Sequence, residues 1–364
     1  MRPFVLAALV AAACAAQALQ PAPKPQGPAT AAASADAPRV RLIATGGTIS
    51  NRTGNRLTAE ELVNSVPGLD RYVRPEFEQF ANTSSSALTL DEWVRLARRI
   101  NETFSTDAGL TGVVVTSGTD TLEEIAYFLH LTVRHERPVV VTGSMRNPNT
   151  IGYEGPANLL ASFRAAADPA SKGRGVLVVL NDEINSAREV TKTDALRLQT
   201  FQTRGYGVLG VVDSDGVSYY RNVTRRHTAA SEFDVRSAGK LPRVDVIMTY
   251  QGAPGDLIKA AVDNGAKGIV IASAGAGATS GTQGDGIRNA LGKQVFVVTS
   301  TRTGSGRIAP RRGGFGPGGA ADDPGRAYRI SADDLAPVKA RILLMLAIAT
   351  TKEPAEVQRM FTEY

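Results

Sequence analysis

Short runs of branched apolar residues recur along the chain and close on small or polar residues. They are RVRLIATGG from Arg39, LTGVVVTSG from Leu110, RPVVVTGS from Arg137, GVLVVLND from Gly175, VDVIMTY from Val244, GIVIASAG from Gly268 and QVFVVTST from Gln294. Continuous apolar strands of this kind suit parallel sheets covered on both faces. Amphipathic stretches separate them. In LTLDEWVRLARRINETF from Leu88, Thr89 is placed to cap a helix whose Trp93, Leu96 and Ile100 share one face. The alternation of strand and helix predicts an α/β class.

The rhythm breaks at Tyr220–Pro242, which is polar and charged and leads into a fresh strand at Val244. This segment, residues 220–242, reads as an interdomain linker. A larger N-terminal α/β domain then spans residues 39–219, its mainly parallel sheet flanked by helices, and a smaller C-terminal α/β domain spans 243–364. Two domains agree with a length of 364 residues. In the second, the glycine-dense run Thr303–Gly325 carries almost no apolar residues and is expected to be a mobile loop. The chain finishes with two helices separated near Pro354.

Residues 1–18, MRPFVLAALVAAACAAQA, combine one positive charge, a short apolar run and the small-x-small triplet Ala16–Ala18. That is the pattern of a secretory signal peptide, too short for a permanent membrane span. It implies a periplasmic or secreted protein. Cys14 is the only cysteine and follows AAA, a poor match to a lipoprotein cleavage site. Cleavage after Ala18 leaves no thiol for a disulfide, a nucleophile or a metal. Residues 19–38 are rich in Ala and Pro and read as a tether. The net charge of +6 is mild. The arginines of Arg225–His227 and Pro310–Gly314 read as solvated loop charges, not a nucleic-acid patch. His130, His135 and His227 show no metal-ligand spacing.

Two strand ends share one design. In LIATGGTIS, Thr48 follows Gly46 and Gly47; in VVVTSGTDT, Thr119 follows Gly118 and precedes Asp120. Ligands of open parallel sheets bind beyond the carboxyl ends of the strands, and glycine lets the backbone come close to them. A hydroxyl presented there beside backbone N–H groups can attack a carbonyl whose oxyanion those amides stabilise. Helix capping is the structural alternative for both threonines. Lys192 in VTKT supplies a base, because a lysine withdrawn from water gives up its proton more readily. Asp120 can orient that lysine or hold a substrate ammonium.

TGGTI at Thr45–Ile49, TSGTDTLEE at Thr116–Glu124, VTGSMR at Val141–Arg146 and VTKT at Val190–Thr193 resemble, in order and spacing, the signatures of the bacterial-type asparaginases and glutaminase-asparaginases. GYEGPANL, LVNSVP at Leu62–Pro67 and KARILLMLA extend the resemblance over nearly the whole mature chain. It implies a two-domain asparaginase-type α/β fold and a homotetramer built as a pair of intimate dimers. It also implies hydrolysis of a side-chain amide, that of asparagine with glutamine left open as a second substrate, without metal or organic cofactor. By motif, Thr48 resembles the nucleophile that forms an acyl-enzyme. Thr119, Lys192 and Asp120 resemble the group that relays the proton or activates water, with Asp120 also on the substrate α-ammonium. On sequence grounds either threonine can attack first. Ser85 matches a serine that binds the α-carboxylate, and Gly47, Gly118, Ser86 and Ser144 complete the substrate-binding set.

The pattern departs from the family where the substrate is held. No tyrosine occurs between Thr48 and Tyr72, where the family carries an activating one; Arg52 or Arg56 takes that space. Ser86 stands for Gln or Glu, Ala276 for an asparagine, and Ser117 for a histidine. The stretch matching the neighbouring subunit's glutamate holds only Asp322 and Asp323. These changes predict weak affinity or an altered amide substrate. The rival reading is an exported amino-acid-binding protein without turnover. GIVIASAGAGATSG lacks the GxGxxG spacing of a dinucleotide turn, and no GxSxG of a serine hydrolase occurs.

Overall fold

The computed structural model describes residues 36–236, 239–310 and 324–364. The signal peptide with Cys14, the tether up to residue 35, the arginines at 311–312, Asp322 and Asp323 lie outside the described residues, as does most of the glycine-dense run. The part of that run that is described is anchored: Ile308 is buried and forms a β-bridge with Asp333.

Eight strands make the larger sheet: β1 (Arg39–Gly46), β2 (Arg74–Thr83), β3 (Leu110–Thr116), β4 (Val139–Thr142), β5 (Val176–Leu180), β6 (Glu183–Ser186), β7 (Gly210–Val212) and β8 (Val217–Tyr219). Their order is β8-β7-β6-β5-β4-β3-β1-β2, parallel from β2 through β5 and antiparallel beyond. The helices of this part are α1 (Ala59–Asn64), α2 (Leu90–Thr106), α3 (Leu122–Thr132) and α4 (Gly155–Ala167). Successive strand residues point to opposite faces, so each apolar run serves two cores. Leu42, Val114, Val140 and Leu177 pack under α1 and α4. Ile43, Val113, Val115, Val141 and Val178 pack under α2 and α3.

Helix α2 forms as its sequence predicts. The Thr89 hydroxyl accepts from the Glu92 N–H at 3.2 Å, and the Glu92 carboxylate accepts from the Thr89 N–H at 2.7 Å. This capping box satisfies two otherwise unpaired donors. Trp93, Leu96 and Ile100 are buried against the sheet.

A second, all-parallel sheet has the order β9 (Val244–Met248), β10 (Gly268–Ser273), β11 (Phe296–Thr301), β12 (Arg329–Ser331). Helices α5 (Asp256–Asp263) and α6 (Gln283–Gly292) cover one face through Ile258 and Ile287. Helix α7 (Pro337–Thr350) is buried on nearly every side, as a helix apolar all round must be. It packs against α3 as well as against β9–β11, so one core cluster joins Val113 to Val298. Helix α8 (Pro354–Glu363) follows, with Pro354 in its first turn. The segment Tyr220–Pro242 joins the two sheets, yet Phe233, Val235 and Leu241 are built into that same cluster. Arg225 pairs with Asp333 at 2.7 Å and Arg226 with Glu363 at 2.6 Å, so both charges are spent internally.

The topology locates the ligand crevice. From β1 the chain crosses to β2 on one side, and from β3 it crosses to β4 on the other. Adjacent strands whose connections diverge leave an opening at their carboxyl ends. Those ends carry Thr48 and Thr119.

His130 on α3 is fully buried, accepts at Nδ1 from the Val176 N–H at 3.1 Å, and has its ring 5.1 Å from that of His227. Burial pushes both imidazoles below their ordinary value, and the neighbouring His227 adds to the lowering at His130. The unfolded chain takes up protons near pH 6.5 that the folded chain refuses. Stability contributed by these neutral rings is therefore complete above pH 6.5 and falls as the pH drops, by up to ~1.4 kcal/mol per pH unit for each ring. Urea unfolding at pH 7 and pH 5 is expected to show a smaller loss in His227→Gln than in the wild type; equal losses would contradict this.

Candidate active site

The end of β1 is shaped by Gly46 and Gly47, at φ +104° and +90°, which turn the chain into a single 3-10 turn, Thr48–Ser50. At β3 the chain continues through Ser117 and Gly118 to Thr119. The two turns touch through bare backbone. A Cβ on Gly47 would lie 2.3 Å from the Gly118 nitrogen, and one on Gly118 would lie 2.8 Å from the Ser85 hydroxyl. Glycine at 47 and 118 therefore brings Thr48, Thr119 and Ser85 to one place.

Thr48 is half-buried and its hydroxyl makes no hydrogen bond among the described residues. Its turn is held from both sides. Arg56 Nη1 donates to the Gly47 carbonyl at 3.2 Å, and the Tyr153 hydroxyl donates to the Ile49 carbonyl at 2.6 Å. Burial, with Glu154 adding to it, raises the Tyr153 phenol well above its ordinary value, so it remains a donor. The short loop after Thr48 is a β-ribbon, Asn51–Arg52 with Asn55–Arg56, tied by Thr53 N–H to Asn149 Oδ1 at 2.7 Å. Of the two arginines offered by the sequence, Arg56 is the one beside Thr48. Arg52 turns to Glu61 at 3.0 Å.

Thr119 is buried, and its hydroxyl lies 3.0 Å from Lys192 Nζ, which also contacts Asp120 Oδ1 at 2.9 Å. Lys192 sits on a two-residue ribbon, Thr191–Lys192 with Phe201–Gln202. Its side chain is mostly buried while that of Asp120 is 79 % exposed, so the carboxylate faces the open side. The contact works in either protonation state. An ammonium donates to the hydroxyl; a neutral amine accepts the hydroxyl proton. The N–H groups of Thr48, Gly118 and Thr119 have no acceptor among the described residues. Unpaired donors beside two hydroxyls are suited to an oxyanion.

The remaining sequence candidates are placed unequally. Ser85 is buried against Gly118. Ser86 is exposed, 3.4 Å from the Ser84 hydroxyl. Ser144 is buried, and its hydroxyl donates to the Arg146 carbonyl at 2.6 Å, which leaves its oxygen able only to accept. Sequence reasoning missed Tyr153, although it lies inside GYEGPANL, because nothing local shows that it reaches Ile49 across 104 residues.

Hydroxyls set against free N–H groups and an amine, at the diverging strands of a two-domain α/β chain, are the equipment of hydrolases that act on acyl groups. The comparisons narrow that class. The family profile "Asparaginase, N-terminal" matches residues 39–225, and "Glutaminase/Asparaginase C-terminal domain" matches 243–361. L-asparaginase 2 of Bacillus subtilis (strain 168) is 39 % identical over 92 % of this chain and 89 % of its own. The probable L-asparaginase periplasmic of Haemophilus influenzae is 36 % identical over 91 % and 94 %. The crystal structure of a probable cytoplasmic L-asparaginase from Campylobacter jejuni superposes with a TM-score of 0.80 at 37 % identity, covering 90 % of this chain and 100 % of that one. The chain belongs to the asparaginase family.

Gly54 and Gly47 both adopt φ +90°, but a Cβ on Gly54 would meet nothing within 4 Å. Gly54→Ala is expected to cost only the backbone penalty, ~1 to 2 kcal/mol. Gly47→Ala adds a collision with Gly118 and should cost at least about twice as much. Equal shifts in unfolding free energy would contradict the backbone contact.

Proposed function

We propose that the chain hydrolyses the side-chain amide of L-asparagine, with L-glutamine the second substrate to test, to the acid and ammonia through a threonine acyl-enzyme. The observation that carries this is Lys192 Nζ at 3.0 Å from Thr119 Oγ1 and 2.9 Å from Asp120, with the free hydroxyl of Thr48 on the adjoining turn. In this reading Thr48 Oγ attacks the amide carbon. Its proton passes to the departing nitrogen, and the unpaired N–H groups hold the oxyanion. Ammonia leaves an ester on Thr48. Thr119, with Lys192 as base, then draws a proton from water, which attacks the ester and regenerates the hydroxyl. Base assistance of this kind is worth roughly 10²- to 10⁴-fold and each oxyanion donor roughly 10²- to 10³-fold.

Ser85 binds the α-carboxylate, and Asp120, exposed on its open side, binds the α-ammonium. Gly47 and Gly118 line this place with backbone. Arg56 and Tyr153 stand in for the missing loop tyrosine by fixing the Thr48 turn; neither touches the Thr48 hydroxyl. No metal or cofactor enters the scheme. The protein is read as exported by residues 1–18, in keeping with the periplasmic name of the Haemophilus relative, and as a homotetramer of intimate dimers with domains at 39–219 and 243–364. Among the described residues no helix is long and apolar enough to cross a membrane. A binding-only protein gains no support from an amine already aligned on a hydroxyl.

Ammonia release from asparagine and glutamine is expected from the wild type and should fall by at least about 10²-fold in Thr48→Ala, Thr119→Ala and Lys192→Met. Unchanged turnover in all three removes the site. Loss of expected charged partners, each worth ~1.5 to 3 kcal/mol, places half-saturation in the millimolar range. Equal rates at micromolar and millimolar asparagine would contradict that.

A further inference from the structure

Lys192 is carried by a short ribbon, Thr191 with Gln202 and Lys192 with Phe201, closed by the Thr193 N–H on the Thr200 carbonyl at 2.8 Å; a ribbon this short takes its position from what it packs against. Behind the ribbon lies a buried charged cluster that no catalytic step uses. Glu123, on the first turn of α3, accepts at Oε1 from the Thr191 hydroxyl at 3.0 Å and from the Lys192 N–H at 3.2 Å. Its Oε2 is buried without a hydrogen bond, and the ammonium of Lys339 lies 3.9 Å away. Lys339, on the first turn of α7, is 1 % exposed and donates to the Arg188 carbonyl at 3.1 Å and to the Val190 carbonyl. One cation thus grips the chain at 188 and 190, immediately before the ribbon, and faces the carboxylate that holds 191 and 192.

We propose that Glu123, Thr191 and Lys339 form a positioning brace through which α7 of the C-terminal part sets Lys192 against Thr119. This rests on the function proposed above. Withdrawing an ammonium this far from water is costly, and burial pushes Lys339 down to about 8. The rest of α7 is almost wholly apolar, so a methionine or leucine at 339 would fill the space without that cost. What the lysine adds is two carbonyl contacts and an ion pair, all directed at the segment that delivers Lys192. The same arrangement makes the smaller sheet necessary to a site built on the larger one.

Thr191→Val removes the hydroxyl and keeps the shape; Thr191→Ser keeps the hydroxyl. The brace predicts that Thr191→Val lowers kcat for asparagine about tenfold with KM within about threefold, that Thr191→Ser restores most of it, and that Lys339→Met loses at least as much as Thr191→Val. Thr191→Val and Thr191→Ser with the same kcat overturn the brace, and this pair decides the matter if Lys339→Met does not fold. The rate at which acetic anhydride labels Lys192 reads its position without turnover. It should rise in Thr191→Val and stay near wild type in Thr191→Ser; no change in Thr191→Val overturns the brace. A wild type that releases no ammonia from any amide sinks the proposed function instead, and the labelling comparison still tests the brace.

Discussion

Two absent side chains hold the site together. Gly47 and Gly118 meet backbone to backbone, closer than any Cβ permits, and a Cβ at Gly118 would also strike Ser85. Every proposed function of the site depends on that approach. It puts a free hydroxyl, a hydroxyl on an amine, and unpaired N–H groups on two adjoining turns. The sheet provides the setting, since β1 and β3 are neighbours whose connections diverge. The glycines turn that opening into a site.

The smaller sheet serves the larger one through charge as well as packing. Arg188, which follows β6, forms a two-point ion pair with Asp334 at 2.6 and 3.0 Å, and Tyr206 adds a hydrogen bond to the same carboxylate at 2.7 Å. Asp333 next to it takes Arg225. Arg188 and Asp334 are both largely withdrawn from water. Removing one partner of such a pair typically costs ~3 to 5 kcal/mol, because the other is left charged and buried. These contacts lock the ends of β6 and β12 into one frame, and Lys339 lies inside it.

Much of this was legible in the sequence, for physical reasons that also mark where legibility ends. All seven apolar runs are parallel strands of the two sheets; most are buried on both faces and so carry few polar positions, while the edge strand β9 keeps Asp245 and leaves Val246 and Met248 exposed. Thr89 announces α2 because a capping box is local. Strand β2 escaped: at an edge of the sheet, with Phe77 half exposed, RPEFEQFANT has no apolar run to betray it. The polar residues of Tyr220–Pro242 masked Phe233, Val235 and Leu241, which are core. TSGTDT and VTKT pointed to Thr119, Asp120 and Lys192, and these three are within hydrogen-bond reach. Arg56 could not be told from Arg52, nor Tyr153 and Lys339 found, since each acts on residues distant in the chain. The bond that commits the Ser144 proton to the Arg146 carbonyl is likewise invisible in sequence.

The central claim is that Thr48, free on the turn that adjoins the turn of Thr119, carries the acyl group. Rapid acid quenching of the enzyme during asparagine turnover, followed by peptide mass spectrometry, tests it directly. One aspartyl ester is expected on the peptide containing Thr48, absent in Thr48→Ala and accumulating in Lys192→Met, where deacylation lacks its base. An ester on Thr119, or turnover at undiminished rate by Thr48→Ala, would contradict it.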